Sequence, residues 1–327
     1  MRRFGALSQS GTKRNWSAVH GAAVFALLLI FAPSSFAKSV PGVGGGEVSV
    51  EEGYTDNVRA SSIAKEGAWY TTVLGEGNWE RPSRGWFPDR LGGILQARAY
   101  SSIPDRNFAA FGPKFGYDWK LVSLTVEYRY TSPHLQVDAS AAVGAFADGH
   151  DLSAEFRRKF GKNGRWLAEF TYAFAAETYD SNARGRSFFE DNFEAVLRCR
   201  VTSWISPRAG VAFSSRDAIS TNFDREETSL LLGLDLYLPA EVRGVFRYEK
   251  IWRNFLVGNQ RDADGQSNGN FGREDDVYKI ETGFDVRVPK LGSTTLRMRY
   301  SFQKNDSTRL SRTYDANEFD LRLTYSF

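Results

Sequence analysis

Cysteine is nearly absent: Cys199 is the only one in 327 residues, so no internal disulfide can form. A lone cysteine in an alternating strand reads as a small outward-facing hydrophobe. Histidine is almost as scarce. Beyond the N-terminal region only His134 and His150 occur, which leaves little for nucleophile–base chemistry. Long apolar runs are missing too. After residue 37 no segment approaches the ~20 apolar residues that a membrane helix needs, and mean hydropathy is negative. That excludes a bundle of membrane helices but not a membrane barrel, whose strands are only half apolar. An excess of basic charge is also lacking. Without Arg2, Arg3, Lys13 and Arg14 the 42 basic residues fall to 38 against 39 acidic ones, so composition makes no case for nucleic acid.

Those four basic residues open the chain with no acid among them, and the apolar run VHGAAVFALLLIFA follows. The run ends in PSSFA before Lys38, with small residues at Ser35 and Ala37. This is the pattern of a cleaved export signal covering 1–37. An anchoring helix is the competing reading, but about 14 apolar residues fall short of a bilayer. Residues 38–46, with the glycines of PGVGGG, read as a flexible lead-in, and 47–327 as the folded domain.

What is present is alternation. In the final segment Phe319, Leu321, Leu323, Tyr325 and Phe327 share one face, and Asp320, Arg322, Thr324 and Ser326 share the other. Similar segments recur at 293–304, 275–287, 241–253, 226–238, 207–217, 190–202, 165–177 and 150–160. Weaker ones lie at 120–131, 107–118, 89–103, 66–80 and 47–57. With 316–327 the set predicts an all-β, transmembrane, antiparallel up-and-down barrel of about 14 strands. The stretch 132–149 keeps 12 or 16 open. Short turns near Lys162–Gly164, Ser206–Pro207, Pro239–Ala240 and Lys290–Gly292 alternate with the longer polar loops 178–189, 218–225, 254–274 and 305–315. Trp79, Trp86, Trp119, Trp166 and Trp204 stand beside predicted short turns, where an interfacial aromatic girdle belongs.

Parity then assigns the interior. With Leu296, Met298, Tyr300 and Phe302 facing lipid, Arg297 and Arg299 face inward. The same reasoning turns in Arg243, Arg247 and Glu249, then Lys279, Glu281, Asp285 and Arg287, then Asp320 and Arg322. Arg198 and Arg200 join Glu194, and Glu127 stands beside Arg129. A lipid-facing charge would cost ~2–4 kcal/mol at the bilayer midplane, so inward placement is favoured. In a wide barrel such charges line water and create a transverse field. In a narrow one they pair and fill the interior. Arginine exceeds lysine there, which suits carboxylate or phosphate groups and internal ion pairs equally.

Other chemistry is weakly signalled. His134 and His150 lie near Ser132, Asp138, Asp148 and Asp151. An Asp–His pair would resemble the omptin proteases and a Ser–His pair the outer-membrane phospholipases, yet no further motif of either family accompanies them. No catalytic residue is assigned. Asp262, Asp264 and Asn268 in DADGQSNGN are hard oxygen donors. However, Gly265 comes too early and no Glu closes a calcium loop. No metal or other cofactor is expected.

The alternating ending with terminal Phe327 resembles the C-terminal signal of Gram-negative outer-membrane β-barrels. That resemblance implies recognition by the barrel-assembly machinery through Phe319, Leu321, Leu323, Tyr325 and Phe327, and an outer-membrane location among lipid and lipopolysaccharide. The opening EVSVEEGYTDNVRASS and the ending YSFQKNDSTRLSRTYDANEFDLRLTYSF are similar to a loose group of porin-like barrels. The group includes barrels near exopolysaccharide export systems and the barrel part of surface lipoprotein assembly modifiers. It implies a channel for small polar or anionic solutes, saccharides among them. The alternative is a non-conducting barrel that assists surface assembly or export. Whether copies associate into a homo-oligomer is left open.

Overall fold

Each amphipathic segment of the sequence forms a strand in the computed structural model. It describes residues 43–57, 67–80, 88–101, 107–119, 122–132, 146–179, 187–219, 223–255, 273–288, 293–308 and 312–327. The strands are β1 (Val43–Thr55), β2 (Ala68–Glu80), β3 (Arg90–Tyr100), β4 (Phe108–Trp119), β5 (Val122–Ser132), β6 (Phe146–Phe160) and β7 (Trp166–Tyr179). They continue as β8 (Phe188–Cys199), β9 (Ile205–Ala218), β10 (Arg225–Leu238), β11 (Val242–Phe255), β12 (Glu274–Val288), β13 (Thr294–Ser307) and β14 (Tyr314–Ser326). Each is antiparallel to its sequence neighbours, and β1 pairs with β14, so the sheet closes as a 14-strand up-and-down barrel. Closure decides the count of 14 over 12 or 16. The uncertain stretch reduces to the ends of β5 and β6, with 133–145 outside the described residues.

β1 begins earlier than the sequence suggests. Val43 and Gly44–Gly46 pair with β2, so the end of the expected lead-in belongs to the wall. Glycines lack side chains to pack but still carry ladder donors and acceptors, and a chain terminus here uses them. Gly46 and Phe327 exchange backbone hydrogen bonds of 3.0 Å in both directions. A Cβ on Gly46 would lie 2.8 Å from the Phe327 ring, so the last residue packs flat on this bare backbone. The proposed export signal (1–37), Trp86, His134 and the loop donors Asp262, Asp264 and Asn268 lie outside the described residues.

The pairing register sets the bore. A line of direct partners runs Val43, Glu80, Arg90, Gly116, Thr125, Glu155 and Thr171. It goes on through Glu194, Ala212, Ser229, Ile251, Val277, Asn305 and Tyr314. It starts at the foot of β1 and ends at the opposite end of β14. Extended through the β1–β14 register, it re-enters β1 about 16 residues further on, a shear that tilts the strands by ~40°. Fourteen strands ~4.8 Å apart at that tilt close at a backbone diameter of about 27 Å, against about 16 Å for eight strands.

Exposed apolar residues dominate the outward face, including Leu95, Phe111, Phe170, Phe213 and Leu323. Trp69 and Trp79 share the outward face of β2, separated by ~33 Å of tilted strand, or about 25 Å along the axis, the height of the hydrocarbon band. Trp119 and Trp166 lie at the end that carries Phe327, beside the short connections 120–121 and 161–165, and Trp204 lies in 200–204. Tight chain reversal there uses Gly161, Asn163 and Gly164 at φ 77°, 57° and 63°, and Ala240 and Glu241 at 61° and 57°. Trp252 and Trp69 mark the other end, where 56–67, 133–145 and 256–273 connect the strands.

The outward face is not free of charge, contrary to a strict parity rule. Toward the loop end, Thr71 donates to Glu52 (2.8 Å) and Tyr172 to Asp191 (2.6 Å). Lys250 rests 4.8 Å from the Trp252 ring centre and 5.0 Å from that of Tyr278. These positions fall at the aromatic belt, where a charge reaches headgroups and costs only ~0–1 kcal/mol.

Inside the wall, Tyr70 lies directly across from Gly53 and donates to Glu318 at 2.6 Å. A Cβ on Gly53 would stand 2.3 Å from the Tyr70 ring. Gly53→Ala therefore displaces a ring that is only 2% exposed. The expected loss is about 1–3 kcal/mol, read as a lower urea midpoint for the refolded barrel. An unchanged midpoint would mean the ring moves at no cost.

Candidate functional site

The inward faces of β8 to β14 bring arginine together around two aspartates. Asp235 of β10 is fully buried and receives Arg247, with Arg243 at 3.2 Å and Arg198 at 3.9 Å. Asp285 of β12 meets Arg299 at 2.6 Å, Arg297 at 3.2 Å and Arg243 at 3.6 Å. Arg299 also reaches Glu281 (3.2 Å), Lys279 reaches Glu249 (3.4 Å), and Arg208 lies 3.9 Å from Glu194. The fork of arginine lets one guanidinium serve carboxylates on the strands either side of its own, as Arg243 of β11 does between Asp235 and Asp285.

The other half of the wall reverses the balance. Lys114 lies between Glu76 (2.7 Å) and Glu127 (3.9 Å), and Arg129 meets Glu127 at 2.8 Å. Arg157 contacts Glu155 (2.7 Å) and Glu169 (3.3 Å). At the seam, Glu51 is buried between Arg98 (3.0 Å) and Arg322, whose Nε donates to it at 2.6 Å. The strands β8 to β14 thus set Arg198, Arg208, Arg243, Arg247, Arg297, Arg299 and Arg322 around Asp235 and Asp285, with Glu194, Glu249, Glu281 and Asp320 on the same faces. Across the bore, β1 to β7 set Glu51, Glu76, Glu127, Glu155 and Glu169 against fewer cations.

These ion pairs run along the wall. Each joins residues of one strand, of neighbouring strands or of strands one place further apart; Arg98–Glu51 and Lys114–Glu76 are of the last kind. Among the described residues none of these pairs bridges opposite walls. At the loop end the pattern continues with Arg253, which contacts Glu227 (2.6 Å) and Asp275 (3.8 Å), and with Arg216, whose Nε donates to Glu190 at 2.7 Å.

Of the residues assigned inward from the sequence, Arg198, Arg243, Arg247, Lys279, Glu249, Glu281, Asp285, Arg297, Arg299 and Arg322 take part in the ion pairs above. Two differ in role. Arg200 lies past the end of β8, in the turn, where its carbonyl accepts from Arg165 Nε (3.1 Å) and its guanidinium lies 5.8 Å from the Tyr237 ring centre. Arg287 pairs with Glu241 of the neighbouring turn at 3.3 Å, both more than half exposed. They mark a mouth rather than the mid-wall. Asp320 is directly opposite Gly53 and Arg299 in register. Arg208, Asp235 and Glu51 escaped the sequence assignment, although alternation within 207–217 and the LGLDLYL segment already turned the first two inward.

His150 faces outward, with Nδ1 2.7 Å from the Tyr128 hydroxyl, beside the Tyr130 ring. Its chain neighbour Asp151 turns to the inner face, so the strand pleat separates this Asp–His pair. Cys199 is also outward, opposite Trp166.

No family model matches the chain, and no curated protein matches it. Among solved structures it is similar to a loop-deletion mutant of OmpT, an outer membrane protein of Vibrio cholerae. The TM-score is 0.45 at 10% identity, over 88% of this chain and 99% of that one. The outer membrane channel DcaP of Acinetobacter baumannii gives 0.44 at 13% identity, over 87% and 96%. An anion-selective porin from Comamonas acidovorans gives 0.41 at 10%, over 88% and 99%. Similarities at this level carry no inference about what the chain transports.

Asp235 is the keystone of the arginine half-wall. Asp235→Ala leaves three guanidinium groups facing one another, and about 3 kcal/mol of stability should be lost. Urea unfolding of the refolded variant checks this. A loss below ~0.5 kcal/mol would show that water, not Asp235, compensates the arginines.

Proposed function

We propose that the chain is an outer-membrane, porin-like channel for passive diffusion of small polar and anionic solutes, saccharides among them. The observation that carries this reading is the course of the ion pairs: they cling to the wall of a barrel about 27 Å across at the backbone. Paired charges that bridged the bore would fill it, whereas charges paired along the wall leave the axis to water. The unequal halves, arginine on β8 to β14 and carboxylate on β1 to β7, impose a field across the bore. A dipolar or charged solute entering such a field is oriented by it.

In this reading Arg198, Arg243, Arg247, Glu249, Glu281, Asp285, Arg297, Arg299, Asp320 and Arg322 line the pore, and Arg200 and Arg287 stand at the mouth beside the turns. Residues 1–37 are the export signal that is removed. The strand of Phe319, Leu321, Leu323, Tyr325 and Phe327 is the element offered to the barrel-assembly machinery. Its support is the terminal aromatic seated on Gly46, at the one place where chain ends must find each other. Transport down a gradient calls for no cofactor.

Single-channel recording of residues 38–327 in a planar bilayer under a salt gradient tests the proposal. Stepwise conductance with a reversal potential favouring anions is expected. Replacing Arg297→Glu and Arg299→Glu together should move that potential toward cation selectivity, and an unmoved potential would remove these residues from the conducting path. Silence from demonstrably folded protein would overturn the channel reading.

A further inference from the structure

Among the described residues, three places on the inner wall set two arginines directly opposite each other on adjacent strands, an arrangement that costs stability unless something negative intervenes. Arg216 and Arg225 are one such pair. Glu190 accepts from Arg216 Nε at 2.7 Å, and Glu227 is 2.8 Å from Arg225. Arg297 and Arg322 are the second, answered by Asp285 at 3.2 Å and Glu51 at 2.6 Å. The third pair, Arg198 and Arg208, is different. Its nearest carboxylate contacts are Glu169 at 3.4 Å from Arg198, then Asp235 and Glu194 at 3.9 Å from Arg198 and Arg208.

Three further observations fall on the same spot. Gly233 stands directly opposite both Arg208 on β9 and Arg247 on β11. A Cβ there would meet Arg208 Cγ at 2.8 Å and Arg247 Cδ at 2.9 Å, so the two arginine stems close over bare backbone. Arg247 is pinned, since its Nη1 donates to the carbonyls of Phe246 (2.7 Å) and Leu234 (3.2 Å) and its Nη2 to Asp235. Arg198 has a buried Nε with no acceptor among the described residues. Three guanidinium groups on four consecutive strands thus share one shelf, with Asp235 committed to Arg247 and Arg198.

We propose that Arg198, Arg208 and Arg247, gathered over Gly233, form a binding subsite for an oxyanion group of a small solute, a carboxylate or a phosphate. Arg208 is the group that contacts the ligand most directly, because among the described residues it alone of the three has no hydrogen-bonded carboxylate or carbonyl, Glu194 lying 3.9 Å away. Arg198 adds its unused Nε–H, and Arg247 supplies fixed charge. Asp235 is the positioning residue that keeps the shelf from spreading. The subsite rests on the channel reading and deepens it, since a weak stop for an oxyanion would concentrate that solute in the bore without blocking water.

The test is isothermal titration of the detergent-solubilised protein with malonate in one arm and inorganic phosphate in the other, beside current-block recordings in bilayers. Saturable binding in either arm is expected, and the stronger arm identifies the source of the oxyanion. Arg208→Gln should weaken it at least tenfold. Arg208→Lys, which keeps the charge but loses the fork, should weaken it several-fold, as should Gly233→Ala, which changes no charge. Arg158→Gln, on the outward face of β6, should leave it intact. No saturable binding in either arm, or equal losses in Arg158→Gln and Arg208→Gln, would overturn the subsite. Conductance without saturable binding defeats the subsite alone. Binding by a protein that never conducts defeats the channel alone.

Discussion

The hydrogen-bonded seam between β1 and β14 is the constraint on which the rest depends. A sheet in lipid cannot leave an edge, because each unsatisfied backbone group in hydrocarbon costs several kcal/mol. The chain must therefore bring its first strand to its last. It does so with a register that runs from Glu47–Ser326 to Thr55–Glu318, capped by the reciprocal Gly46–Phe327 bonds. Side chains reinforce the join: Glu51 with Arg322 inside, Tyr70 with Glu318 across two strands, and Asn317 with Asp56 at the loop end (2.8 Å). Strand number, tilt and bore follow from this closure and its shear.

Given a bore of that size, the charges could have met across the axis or along the wall. They meet along the wall, and the distribution is uneven. Arginine does most of this work, since its planar fork of five donors can answer carboxylates on two sides at once, as Arg243 does. The result is a wall rigid enough to hold an electrostatic asymmetry. In the proposed channel, the arrangement that leaves the axis to water is also the one that sets a transverse field across it.

The lipid side shows how far a simple polarity rule reaches. At mid-height it holds, with Phe, Leu and Val outward on strand after strand. Near the loop end it gives way to Glu52, Asp191 and Lys250, each matched with a hydroxyl or an aromatic ring. The cost of a charge there is set by depth, and these side chains reach the interface. His150 belongs to the same belt. Sequence proximity to Asp148 and Asp151 suggested chemistry, but the pleat sends Asp151 to the lumen and leaves His150 with Tyr128 and Tyr130.

The amino-acid order by itself determined the fold class, the number of strands within two, and the alternation from which an expected face follows. The reason is that a period of two converts position directly into inside or outside. It also carried Arg208 and Asp235, whose parity was plain. Parity says nothing about register, however. Which carboxylate meets which arginine depends on how far each strand slides along its neighbour, and that is set by turns and by closure of the whole sheet. Only the assembled barrel could decide that Asp235 holds three arginines, or that Arg198 and Arg208 stand face to face with little to separate them. It also decided that four residues of an apparent lead-in are wall. A run of glycines advertises no strand, and it becomes one only through its pairing with β2 and, at Gly46, with Phe327.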